Sequence, residues 1–218
     1  MCFSMGASFG AGAILLTTGF FAVSLAKDSR QHMLAVIPLL FSLQQFFEGL
    51  LWLSLQDHAY AHWQHLLLYL FLIPAQVVWP LFVPLCALVI ETDPVRRRPL
   101  AVCTVIGGIT SAIFLYGLFF YNVSAAIAHH HIRYALELPF LQQWYGGIPY
   151  LAAAVAAPLI SSNPRMRLTG LLLLLSYLAA RLFYNEYVIS VWCYFAAVIS
   201  FVALYDIILK NREDHAHQ

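Results

Sequence analysis

Seven apolar runs dominate this chain, at roughly 8–26, 33–55, 65–90, 99–121, 144–161, 168–185 and 188–209. Each exceeds or approaches the ~20 residues that a helix needs to cross ~30 Å of hydrocarbon. Backbone groups in lipid must be satisfied within their own segment, so runs of this kind dictate helices, and the alternating pattern of a barrel is absent. The expected fold is an all-α integral membrane bundle of seven transmembrane helices. It forms one domain over 1–210, with a short polar tail at 211–218. Charge agrees: 10% of the 218 residues are Asp, Glu, Lys or Arg, where a soluble domain carries about 25%. A sizeable extramembrane domain and a disordered chain are thereby excluded. A net charge of +1 with no basic patch argues against a nucleic-acid partner.

The basic residues orient the bundle. Lys27, Arg30, Arg96, Arg97, Arg98, Arg165, Arg167, Lys210 and Arg212 all fall in connections at one end, and only Arg133 and Arg181 of the 11 basic residues do not. The positive-inside rule places that end, with the C-terminus, in the cytoplasm, and seven spans then place the N-terminus outside. The first run lacks a basic leader and a clear cleavage site, so a retained helix is expected. The expected location is the inner membrane of a bacterium.

The outward connections differ in chemistry. Residues 56–64 carry His58 and His62, with His65 just beyond, and the 122–143 connection carries His129, His130 and His131. In the latter, Ile132, Tyr134, Leu136 and Leu138 alternate with Arg133, Ala135 and Glu137, which predicts a short extended piece capping the bundle. The third run contains Pro74, Pro80 and Pro84. A kink is expected there, with neighbours or water meeting the freed carbonyls. Gly107 and Gly108 in the fourth run permit close helix contact.

Charge inside the hydrocarbon is expensive and therefore informative. Glu48 lies in the second run with Gln44 and Gln45 on one broad helical face and Trp52 one turn outward. Segment direction puts Glu48, Arg181, Cys193 and Cys2 at similar depth in the outer half, with Asn185 and Trp192 near the same mouth. The expectation is an outward-facing polar and thiol pocket that binds a metal ion or a small or lipidic ligand. Cys2 and Glu48 are its candidate catalytic groups. Gln44, Gln45, Trp52, Arg181, Asn185 and Trp192 are candidate ligand contacts. Metal candidates are Cys2, Glu48 and Cys193, together with His58, His62 and His65, whose i, i+4, i+7 spacing aligns them on one face of a short helix. Imidazole and thiolate suit copper or zinc.

The bland readings stand beside these. Glu48 and Arg181 can form a structural ion pair, Arg181 can snorkel to the headgroups, Cys2 and Cys193 can form a disulfide, and loop histidines sit comfortably at interfaces. A small proton-coupled transporter and a seven-helix receptor share the topology. Retinal is not expected, because no lysine lies within a run, and haem is not expected, because no pair of histidines does. The expected partners are the bilayer, a metal or small ligand, and a second copy of the chain.

Three patches carry a resemblance: Met1-Cys2-Phe3-Ser4 with Ala7-Ser8-Phe9 and Ala11-Gly12-Ala13; Gln44-Gln45 with Glu48-Gly49 and Trp52; and Ser190-Val191-Trp192-Cys193. With these the chain resembles a family of small, multi-spanning bacterial membrane proteins of unknown function that begin MCFS. The resemblance implies a shared fold and marks the residues that topology converges, but it implies no activity. Removal of Met1 would leave Cys2 with a free α-amine beside its thiol, a bidentate metal ligand or a nucleophile with its own base.

Overall fold

The computed structural model describes residues 4–139 and 146–216, with side chains to Arg212. Cys2 lies outside the described residues. The helices, in chain order, are α1 (Met5–Leu25), α2 (Ser29–Gln56), α3 (Gln64–Leu72, Ile73–Val78 and Trp79–Ile90, consecutive segments) and α4 (Pro94–Phe120). A hairpin of β1 (Val123–Ala128) and β2 (His131–Leu136) follows. The chain returns as α5 (Ile148–Ile160), α6 (Pro164–Phe183) and α7 (Val188–Ile199 and, beyond Ser200, Phe201–Ala216).

Six of these helices are long and apolar enough to cross a membrane, and this is an integral membrane architecture. The fifth differs from the expectation. Over its described length α5 has 13 residues, which at 1.5 Å per residue cover ~20 Å, less than the ~30 Å of hydrocarbon. Beyond residue 210, α7 continues as helix to Ala216. Asn211 donates to the Leu25 carbonyl at 2.8 Å and accepts from Gln31 at 3.2 Å, which ties the end of α7 to the α1–α2 turn.

The helix starts at the basic end follow local rules. Asp28, Asp93 and Asn163 each cap the helix that follows by accepting a backbone N–H, and Pro94 and Pro164 occupy first helical positions, where no donor is lost. The arginines there do more than orient the chain. Arg96 donates to the Ile160 and Ser161 carbonyls, and Arg97 to those of Leu88 and Glu91, so each covers orphan carbonyls at a helix C-terminus.

Proline disrupts α3 as expected, and the form is a π-helical stretch at Ile73–Val78. The carbonyls loosened there are met by neighbours: Tyr150 of α5 donates to Ala75 at 2.6 Å, and Ser111 of α4 donates to Val77 at 2.6 Å. Gly107 lies against the same region. A Cβ at this position would come within 2.0 Å of the Pro80 carbonyl oxygen, so only glycine permits this approach. Gly108 is under no such constraint, with nothing nearer than 3.8 Å.

The alternation in the long connection is real and gives a strand. β2 pairs antiparallel with β1, Tyr134 opposite Ala125 and Ile132 opposite Ile127. Its period of two turns Ile132 and Tyr134 into the bundle, where they join Trp52, Leu68, Phe71 and Leu118 in one apolar core. His129 takes the tight turn at φ 58°, a conformation that histidine tolerates better than most side chains. Leu138, fully buried, then seats on Gly117 of α4. The hairpin is therefore a plug over the end of the bundle opposite the arginines.

Candidate functional site

Beneath the hairpin, α2 buries an unusual polar face. Gln44, Gln45 and Glu48 are all 0% exposed and Trp52 is 2% exposed. Burial of all four on one face is what their spacing predicts. Glu48 lies eight residues, or ~12 Å of helix rise, from the hairpin end of α2.

Three donors converge on the Glu48 carboxyl, each from a different element. Ser190 of α7 donates its hydroxyl to Oε1 at 2.6 Å, Tyr134 of β2 reaches the same oxygen at 3.4 Å, and Gln45 approaches Oε2 at 3.4 Å. Tyr134 is aimed by stacking on Phe71, with centroids 4.7 Å apart and planes at 9°. Gln44 accepts the indole N–H of Trp79 at 2.8 Å, and Trp79 stacks on Phe41 at 4.0 Å. Cys193 follows Ser190 by three positions, so both lie on one face of α7, and the Gln44 amide lies alongside its thiol.

This cluster is only partly satisfied. Among the described residues, Gln44 Nε2, Gln45 Oε1, Trp52 Nε1 and Ser8 Oγ are buried without a hydrogen-bond partner. Ser8 belongs at this level because Phe9 lies against Gly49, while Gly12 accepts a hydrogen bond from Ser42 and faces Phe46. An unpaired buried polar group costs roughly 1–3 kcal/mol, so four in one neighbourhood weigh against stability. Among the described residues no Lys, Arg or His lies within ion-pair distance of Glu48.

Several expected site residues stand elsewhere. Arg181 is exposed at the end of α6 and donates to Asn185, itself exposed, so neither reaches Glu48. The physical reason is the short connection between α6 and α7: it leaves Arg181 one turn from Asn185, at the rim. Trp192 points away from the cluster, donating to the Leu173 carbonyl at 3.2 Å and packing on Tyr150 and Tyr177.

His58, His62 and His65 are all exposed. His58 and His62 lie in a 3-10 turn (His58–Trp63), whose tighter winding breaks the i, i+4 alignment; His62 packs on Trp63 and His65 on Tyr69. Among the described residues no three His, Cys, Asp or Glu are grouped to hold a metal ion. Cys193 is a free thiol, and so are Cys86 and Cys103 toward the basic end. His131 is buried against Tyr187 and Tyr184. Burial, and then the neighbouring His130 and His129, hold its pKa below the ordinary histidine value.

Tyr134, Ser190 and Trp79 were not among the residues expected at the site. Tyr134 was visible as one member of the alternating run, and Ser190 as the start of the Ser190-Val191-Trp192-Cys193 patch. Nothing in the sequence says that a strand from the capping connection reaches a carboxyl on α2.

Neither curated proteins nor solved structures yield a match to this chain. A family model does match, over residues 1–218, described as a family of unknown function, DUF6629. By that full-length match the chain belongs to this family.

Proposed function

We propose that this protein spans the membrane with its N-terminus and hairpin outside and its arginine-rich end in the cytoplasm, and that the Glu48 cluster is a binding site for a small cation. One observation supports the site above all: a carboxyl in the hydrocarbon region with three hydrogen-bond donors, no counter-charge among the described residues, and four unpaired polar groups around it. A carboxylate in lipid needs a positive partner or a proton. A cation supplies that charge, and Gln45 Oε1, Ser8 Oγ and the Cys193 thiol offer it further ligands. Copper(I) and zinc suit such a mixed oxygen and sulfur set. In the sequence Cys2 precedes the Ser4 cap by two residues, and with Met1 removed its thiol and α-amine would add two further ligands.

The test is metal content of protein purified without chelator, followed by thermal unfolding with added Zn2+ or Cu+. Wild type retains close to one metal per chain, whereas Glu48→Gln and Cys193→Ala lose it. At a free metal concentration a hundred times Kd the wild type gains about 2.7 kcal/mol. A wild type that carries no metal and does not respond to either ion removes the cation reading. In that case Glu48 is filled by a proton, and proton-coupled transport becomes the better reading. The π-helical segment beside the site favours it, since such segments recur where helices move or bind. Reporter fusions after Gln218 test the orientation.

A further inference from the structure

On the basic side of Cys193, α6 and α7 part. They pack closely along Val188–Ile199 and diverge beyond Ser200, where the hydroxyl bonds back to the Ala197 carbonyl and the helix turns. The gap is a narrow crevice of about 80 Å³. Its walls are almost wholly apolar, with Leu34, Phe41, Val83, Met166, Leu173 and Ala203 among them. Its far end is polar. Arg165, in the first turn of α6, pairs with Asp206 of α7 at 3.0 Å. Asp206 is 3% exposed, and its second oxygen, Oδ2, is buried without a partner among the described residues.

The crevice is partly open at its side, and among membrane-spanning helices that opening meets lipid. From Cys193 to Asp206 the helix rises ~20 Å, against ~15 Å for half the hydrocarbon core, which is the reach of one acyl chain. The charges at its end are ordered as a cation and an anion side by side. A buried carboxylate oxygen with no donor calls for an N–H or O–H brought by the occupant, and a guanidinium beside it suits a phosphate.

We infer that this crevice holds one acyl chain of a phospholipid from the leaflet at the basic end, with an ethanolamine headgroup. The ammonium donates to Asp206 Oδ2 and the phosphate meets Arg165. Phosphatidylglycerol brings the phosphate without the cation, and phosphatidylcholine brings the cation without an N–H donor. The inference rests on the spans and on Asp206, not on the Glu48 reading.

The experiment is native mass spectrometry of the full chain after exchange into an equal mixture of phosphatidylethanolamine, phosphatidylglycerol and phosphatidylcholine with identical acyl chains. The ethanolamine lipid should be retained at least fivefold over either competitor. Asp206→Asn should bring it down to their level, and Ala203→Trp, which fills the crevice and leaves the ion pair in place, should lower all three. Absence of bound lipid, equal retention of the three, or an unchanged preference in Asp206→Asn would overturn the inference. Where Asp206→Asn does not yield monodisperse protein, Ala203→Trp decides: lipid retention equal to wild type overturns it.

Discussion

Glu48 and Glu91 are both buried glutamates, at 0% and 1% exposure, yet their surroundings follow opposite logic. Glu91 closes the C-terminus of α3 at the basic end and accepts five hydrogen bonds. They come from the Thr92 and Asp93 amides, the Ser161 hydroxyl, and the amide and hydroxyl of Ser162. Two turns, α3–α4 and α5–α6, are stapled through one carboxylate. Burial alone works against its charge, but the donors of Ser162, Asp93 and Ser161 outweigh it and hold the pKa at about 2. Glu48 has three contacts, two of them at 3.4 Å, from α7, from β2 and from its own helix, and unpaired polar groups stand around it. A carboxylate that exists to hold a fold is saturated by the chain itself. Glu48 is left with a neighbourhood that the described residues do not complete.

The largest expected effect tests the saturated member. Glu91→Ala orphans five donors, all in the two turns, and should cost about 3–5 kcal/mol, measured as a fall in thermal unfolding temperature. If Glu48→Ala costs as much, the two sites do not differ in kind.

Acid provides the next test. The Glu91 pKa is lowered in the fold from 4.5 to about 2, so its stabilising contribution is fully present above 4.5 and is lost as pH falls toward 2. The difference in unfolding temperature between wild type and Glu91→Gln should be constant at neutral pH and should shrink across that window. A difference that does not change with pH would mean that Glu91 is held by packing, not by charge.

At the other site the contacts are individually modest. Ser190→Ala and Tyr134→Phe should each lower stability by about 1 kcal/mol while weakening ligand binding at least tenfold. Binding left intact in both variants would detach the hydroxyl and the phenol from the site. Glu48→Gln keeps a hydrogen-bonding group of the same shape, so it should change stability by less than about 1 kcal/mol and yet abolish binding. Smallest of all, Arg181→Ala should fall within about 0.5 kcal/mol and leave binding unchanged, because Arg181 is exposed and bonded to Asn185. Loss of binding in this variant would extend the site to the rim.

Where the sequence anticipated the structure, the signal was local period. Gln44, Gln45, Glu48 and Trp52 lie three, four and seven apart on one helix, and a single face of α2 buries them all. The alternation from Ile132 to Leu138 predicts extended backbone, and β2 forms there. A disruption of α3 around Pro74 is likewise visible in the sequence, although not its π-helical form. Arg181 was placed by depth alone. Depth says how far a residue lies along the membrane normal but not which way it faces, and Arg181 faces out at the rim. The histidine alignment differs for a related reason: the spacing of His58, His62 and His65 assumes an α-helix, and the chain at His58–Trp63 winds as a 3-10 turn.

Scarcity of charge and the length of the apolar runs determined by themselves that this chain is a membrane-spanning helical bundle, because lipid leaves the backbone no alternative. They also determined that Glu48 is the residue to explain, because an acid in hydrocarbon must be compensated. Only the tertiary structure decided what surrounds it. Ser190 comes from α7, 142 residues away, and Tyr134 from a hairpin 86 residues away. Such pairings are set by how helices and hairpin close on one another, and no period along the chain encodes them. The same holds at Glu91, where serines 70 and 71 residues distant turn a solitary acid at a helix end into the joint between two turns.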